Sequence, residues 1–322
     1  MKYGIVCTSH TSNLGDDIQS LAAVHLLRKN GITDYVCVER EELDSYSGEP
    51  VALITNGWFL HNFQNFPPSN KIKPLFIGFY CHHPRLIEKH QKYFKKHEPI
   101  GCRSASTVWA CQEHGIEAYL SGCLTMGFDE VSHTSNGLRA RRRALEVKHK
   151  KTPPAREGFY RTIPTPNYTQ KSHRGLMAVK EPSVCVVDPD FGGKWLKWSR
   201  ALEGHAKTLG ENLMYFTHEK SGIVGLPHAE RLDIAQSFLH MYGGASLVVT
   251  SRLHCVLPCR ALNTPAKFIH PNIYHDPRFK GLQTVLCGRT PDANWNDILS
   301  RVDIGKKKIS LDKSFRELLD RA

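Results

Sequence analysis

Short apolar runs alternate along this chain with segments whose apolar positions repeat at helical spacing, and no other feature restricts the possible folds as much. Runs at 3–7, 35–38, 51–55, 75–79, 100–102 and 118–120 are interleaved with helical patterns at 14–29, 84–96 and 105–114. In the first of these helices Ile18, Leu21, Ala22 and Leu26 share a face, and Gly31 closes it. Such alternation makes each strand start from the same edge of a sheet, so the strands run parallel with crossover helices on their faces. The pattern restarts at 184–187 and continues with a helix near 197–209, a run at 213–216, a helix near 231–242, a run at 247–250, a helix at 252–261 and a run at 267–269. The expectation is an α/β protein with two Rossmann-like domains facing each other across a cleft. Residues 1–130 form the first and residues 183–322 the second, which ends in a helix at about 311–322.

Between the two lies a segment of different chemistry. Residues 131–180 hold twelve Lys or Arg against two acids and so carry +10 of the formal +12. Arg139, Arg141, Arg142, Arg143, Lys148, Lys150 and Lys151 would give a helix there a cationic face, while Pro153, Pro154, Pro164 and Pro166 favour loop around it. Residues 131–182 are therefore read as a basic insertion or linker, with a solvated linker and a polyanion contact as equal alternatives. The rest of the chain is nearly neutral.

At 322 residues, with 40% hydrophobic and 23% charged, the chain has ample core material for two soluble domains. No apolar run approaches the ~20 residues that cross a bilayer, and the N-terminus reads as a first strand, not as a secretory leader. Ten cysteines without a CxxC pair, several inside strand-like runs, suggest small core hydrophobes in a reducing compartment, hence a cytoplasmic protein. The neighbours Cys81, His82 and His83 would point apart on an extended chain, and no HExxH or DxD grouping occurs, so no metal site and no cofactor are expected.

Candidate chemistry sits where strands end and helices begin, which is where open parallel sheets bind ligands. Arg252 and His254 follow the run 247–250; if the strand stays extended through them, both side chains point into one cleft. Arginine can hold a phosphate or carboxylate through paired hydrogen bonds, and histidine exchanges a proton near neutral pH. Arg103 stands at a second strand end and is a candidate clamp from the other domain. Asn13, Gly15, Asp16 and Asp17 form the first strand-to-helix turn; one aspartate is expected to cap the helix and the other to act as a general base, and their order does not say which. Asn56 and Gly57 signal a turn, with Trp58 either covering a core edge or stacking on a sugar ring. His61, Asp188 and His218 are further candidates for lining the cleft on the acceptor side.

The stretches Asn13-Leu-Gly-Asp-Asp-Ile-Gln19, Thr55-Asn-Gly-Trp58, Ile100-Gly-Cys-Arg103, Ser121-Gly-Cys-Leu-Thr125 and Thr250-Ser-Arg-Leu-His-Cys255 occur in the order found in the polysaccharide pyruvyl transferase family, which the chain resembles over roughly 3–126 and 184–286. The resemblance implies a two-domain fold similar to glycosyltransferases of the GT-B type. It also implies a donor, phosphoenolpyruvate, held by Arg103 and Arg252, with His254 as the acid and a glycan hydroxyl as acceptor, and it marks 131–182 as inserted. Ser121-Gly-Cys stands where Gly-Asp is usual in that family, so a nucleotide-sugar glycosyltransferase remains an alternative. Such an enzyme could act on hydroxylated bases of phage DNA, to which the basic insertion is suited. A non-catalytic polyanion-binding module is a third reading, disfavoured by the presence of every candidate acid, base and clamp.

Overall fold

A computed structural model describes residues 1–59, 64–128, 183–190 and 195–287. Strands β1 (Lys2–Cys7), β2 (Tyr35–Glu39), β3 (Val51–Phe59), β4 (Ile72–Cys81), β5 (Ile100–Cys102) and β6 (Ala118–Leu120) form one sheet in the order β2-β1-β3-β4-β5-β6. Every pairing is parallel, as the alternation requires. Helices α1 (Leu14–Lys29), α2 (Arg85–Lys89), α3 (Gln91–Lys96) and α4 (Ala105–Gln112) lie in the connections. A second parallel sheet, β10-β9-β7-β8, holds β7 (Ser183–Val187), β8 (Asn212–Phe216), β9 (Leu247–Thr250) and β10 (Ala266–Phe268). Its helices are α5 (Trp195–Leu209), α6 (His228–Gly244), α7 (Leu253–Ala261) and α8 (Gln283–Cys287). The architecture is α/β and Rossmann-like. Among the described residues no helix is long and apolar enough to cross a membrane.

Two details depart from the sequence reading. Asn56 and Gly57 do not turn the chain. Strand β3 runs on to Phe59, pairing Trp58 with Tyr80 and Phe59 with Cys81, and a bulge between Thr55 and Gly57 absorbs the irregularity. Gly57 has φ +116°, a conformation that favours glycine, so the signal marks a bulge. The single helix expected at 84–96 is two short ones that meet at His90.

The apolar faces do not form two separate cores. Ile5, Ile54 and Ile77 of the first sheet join Val187, Val248 and Phe238 of the second unit in one buried cluster, with α1 sandwiched between them. The outer face of each sheet has its own smaller cluster. Among the described residues eight cysteines are buried, including Cys7, Cys102, Cys185, Cys255 and Cys259, as expected of small hydrophobes. Helix α1 is buried on nearly every side, so its polar first turn must find protein partners from both units. That necessity builds the site.

Candidate active site at the junction of the two sheets

Strand β1 ends at Cys7, and the loop that follows pairs with the second unit before α1 begins. Leu14 N–H donates to the His218 carbonyl at 2.9 Å, and Lys220 N–H to the Ser12 carbonyl at 2.8 Å. Asn13 caps α1, its Oδ1 accepting from Gly15 N–H at 3.1 Å. Neither aspartate is the cap. Asp17 instead accepts two hydrogen bonds of 2.8 Å, from Nε and Nη2 of Arg231 on α6. Arg231 is 0% exposed and also donates to the carbonyls of Ile223 and Thr11. Desolvation pushes the Asp17 carboxyl up to about 6 against the pull of Arg231. Two short charge-assisted bonds keep it ionised at neutral pH. Its oxygens are committed to holding the units together.

Asp16 faces a different neighbourhood. Its Oδ1 accepts from Gln19 Nε2 at 3.2 Å and its Oδ2 lies 3.7 Å from Arg40 Nη1. It lines a small, partly open recess together with Thr8, Gln19, Arg40, Asn56 and Trp58. Thr8 Oγ1 and Asn56 Oδ1 are buried there without a hydrogen-bond partner among the described residues. Buried polar atoms are nearly always satisfied, so two orphans beside a carboxylate call for a small polar partner, a water or a hydroxyl. Asn56 is held by its amide, which donates to the Gln19 carbonyl at 3.0 Å, and Trp58 packs edge-on against His82.

Gln19 connects this recess to the second sheet. Its Oε1 accepts from Arg103 Nη1 at 3.0 Å, and the same Nη1 lies 3.2 Å from His254 Nε2. Arg103, at the end of β5, is 2% exposed and stacks over Tyr80 at 4.7 Å. Its Nε is buried and unpartnered, and among the described residues no carboxylate lies within ion-pair distance of its guanidinium. An arginine can only donate, so His254 Nε2 must accept, which places the imidazole proton on Nδ1. Burial and then Arg103 hold His254 well below the usual histidine range, with His218, Arg278 and Arg252 adding to the effect.

His254 reaches this position because α7 is irregular at its start. Pro258 has no N–H to give to the carbonyl four residues before it, and His254 has φ −83° and ψ 18°, outside helical values. Gly15 makes the approach possible: a Cβ there would stand 3.2 Å from His254 Nδ1 and 3.0 Å from Asn13 Oδ1. Arg252, by contrast, does not share a direction with His254. The chain turns into helix immediately after Arg252, so the extended-strand premise fails. Arg252 donates through Nε to Asp188 Oδ2 at 3.1 Å and sits 3.0 Å from Glu219 Oε1, with about a third of its side chain exposed. Asp188 accepts from His218 N–H with the same oxygen, so it anchors Arg252 and does not face an open cleft. His218 is 1% exposed, bonded to Tyr242 Oη and pushed down to about 3 by burial; it is an interior residue, not a cleft-lining one.

Three contributors were not among the candidates. Gln19 closes the first motif but reads as a helix residue, Arg231 sits inside an ordinary helical pattern, and Arg278 lies past the last motif. Arg278 is paired with Asp276, at 2.9 Å, and its charge acts on both Arg103 and His254. His61 and the basic residues Arg139, Arg141, Arg142, Arg143, Lys148, Lys150 and Lys151, like the expected terminal helix at 311–322, lie outside the described residues.

The structure is similar to protein KP1_0663 of Klebsiella pneumoniae subsp. pneumoniae NTUH-K2044, described as uncharacterized, at 11% identity and TM-score 0.49 over 89% of this chain and 91% of that one. It is also similar to the iron-containing dodecameric glycosyltransferase TibC of enterotoxigenic E. coli H10407, at 10% identity and TM-score 0.29 over 99% of this chain and 76% of that one. Scores this low carry no argument about function. A comparison with curated proteins finds no match. The family model for polysaccharide pyruvyl transferase matches residues 13–269, a span that takes in α1, Arg103 and the His254 turn together, and the chain belongs to that family.

Proposed function

We propose that this protein transfers a pyruvyl group from phosphoenolpyruvate to hydroxyls of a glycan, in a cleft between units 1–130 and 183–322 arranged as in GT-B enzymes. The observation that carries the reading is the meeting of Arg103 and His254, from opposite sheets, at 3.2 Å around a guanidinium that no carboxylate among the described residues contacts as an ion pair. A buried, uncompensated cation is costly unless a ligand supplies the opposite charge. A small dianion such as phosphoenolpyruvate fits that need, with Arg252 and Arg278 at the rim able to exchange their acidic partners for donor oxygens.

Asp16 serves as the base in this scheme, because Asp17 is occupied by Arg231 and Asp16 lines the recess with the unpartnered Thr8 and Asn56. Asp16 takes the proton of an acceptor hydroxyl as its oxygen bonds to C2 of the donor. The C2–C3 π electrons then collect a proton at C3 from His254 in its imidazolium form. A second hydroxyl displaces phosphate from the resulting tetrahedral carbon and closes the ketal, and its proton leaves with phosphate. Trp58 offers an apolar face beside the recess for a sugar ring.

The test is to incubate the protein with phosphoenolpyruvate and a panel of acidic and neutral glycans, following phosphate release and the ketal methyl signal by NMR. Thermal shifts with phosphoenolpyruvate, nucleotide sugars and duplex DNA run beside it, since a ligand at ~100 times its dissociation constant stabilises by about 2.7 kcal/mol. A shift with a nucleotide sugar and none with phosphoenolpyruvate would replace this reading with glycosyl transfer.

A further inference from the structure

Gln19 occupies a position where a carboxylate would be the expected partner of a buried arginine. Its orientation is not ambiguous. Asp16 can only accept, so the Gln19 amide nitrogen must face it, and Arg103 can only donate, so the amide oxygen must face Arg103; both contacts are present, at 3.2 and 3.0 Å. Gln19 thus fixes the guanidinium in place while adding no charge to it.

The surroundings of His254 repeat that choice on every side. Arg103 meets it from β5, Arg252 precedes it on α7, Arg278 comes from the turn after β10, and His218 from the loop after β8. Helix α1 turns the uncharged Gly15 toward it. The carboxylates nearby are already engaged: Asp16 with Gln19 and Arg40, Asp17 with Arg231, Asp188 and Glu219 with Arg252, Asp276 with Arg278. Tyr242 of α6 is bonded to His218, and Cys123, on the turn beside α7, contributes a thiol that bonds to Thr125. Among the described residues, no carboxylate is in ion-pair contact with the Arg103 guanidinium beside His254.

We propose that Gln19 is a positioning residue that makes the proton on His254 conditional on the donor: it orients Arg103 without neutralising it, so His254 remains a neutral acceptor in the empty site and takes up a proton from solvent when a bound anion arrives. The anion draws the Arg103 Nη1–H away from His254 Nε2, the freed lone pair accepts the solvent proton, and the new N–H points at the ligand. The acid that the transfer step needs is present only when there is something to protonate. This inference rests on the anion site described under the proposed function.

Sulfate, which does not titrate near neutrality, is the probe. Calorimetric titration of the full-length protein with sulfate at pH 7, in two buffers of different ionisation enthalpy, should show uptake approaching one proton per site. Apparent affinity should fall close to tenfold per pH unit above neutrality, the limit for one linked proton. Gln19→Glu places the missing charge inside the protein; it should weaken sulfate binding by about tenfold or more and abolish most of the proton uptake. Gln19→Met, which removes both hydrogen bonds without adding charge, should keep the uptake while lowering kcat/KM with phosphoenolpyruvate. Buffer-independent enthalpy in the unsubstituted protein overturns the proposal without any variant, while sulfate binding itself would leave the anion site standing. Equal losses of affinity in the Glu and Met variants would also overturn it, since a purely structural role predicts that pattern. Failure of both sulfate and phosphoenolpyruvate to bind would remove the anion site and this inference together.

Discussion

Two buried arginines join helix α1 to the rest of the molecule, and they differ in one respect. Arg231 reaches Asp17 with two 2.8 Å bonds and has further carbonyl acceptors, so its charge is fully answered. Among the described residues Arg103 meets a neutral amide, a neutral imidazole and the Tyr80 ring, and its Nε has no hydrogen-bond partner. Both lie at the same seam between the sheets, and burial is nearly complete at each. The comparison supplies a criterion for the proposed site: a cation that serves structure is compensated by the protein, and a cation offered to a ligand is not.

The largest effects should come from breaking the compensated junction. Asp17→Asn or Arg231→Met leaves one charge buried without its partner, and a loss of about 3–5 kcal/mol in urea unfolding is expected. The contrast sharpens if Arg103→Met is compared with it. Here stability should stay within about 1 kcal/mol of the parent, or rise, while kcat/KM for phosphoenolpyruvate falls on the order of 10³-fold, roughly 4 kcal/mol of transition-state stabilisation. A variant that loses activity and stability in equal measure would erase the distinction between the two arginines.

Between the two aspartates the same logic predicts a smaller division. Asp16→Asn should lower kcat about 100-fold, roughly 2.7 kcal/mol, with little change in unfolding midpoint, the reverse of Asp17→Asn. A separate, pH-dependent effect concerns His218. Its folded value of about 3 lies below the unfolded value near 6.5, so the folded state binds fewer protons in that window. Its contribution to stability is complete above pH 6.5 and lost as pH falls toward 3, by up to about 1.4 kcal/mol per pH unit. Urea unfolding of the parent and of His218→Asn across pH 4–7 should show a shallower slope in the variant.

The strand and helix order was legible because period-2 and period-3.6 apolar patterns are local properties of a chain. The bounds expected for α1, 14–29, agree with the helix found, and the parallel arrangement of both sheets follows from the alternation. The extension of β3 past Asn56 was not legible. Turn propensity is local, but whether a strand continues depends on its neighbour, and β4 offers a partner as far as Cys81. For the same reason the shared face of Arg252 and His254 failed, since helix α7 starts one residue too early for strand geometry to apply.

The motif residues lie at the ends of β1, β5 and β9, which a parallel sheet brings to one side by construction. What they left open was the division of labour. Asp16 and Asp17 are adjacent and identical in type, and only the placement of Arg231, more than two hundred residues away, ties Asp17 to the second unit and leaves Asp16 to Gln19 and Arg40. Gln19 reads as one more polar residue on a helix until Arg103 and Asp16 are seen on either side of its amide. Secondary structure, and the strand ends where the candidate residues stand, follow from short-range sterics and apolar periodicity, which the sequence carries by itself. Which charges are neutralised, and which are left for a ligand, is a matter of long-range contacts, and those exist only once the two sheets have packed.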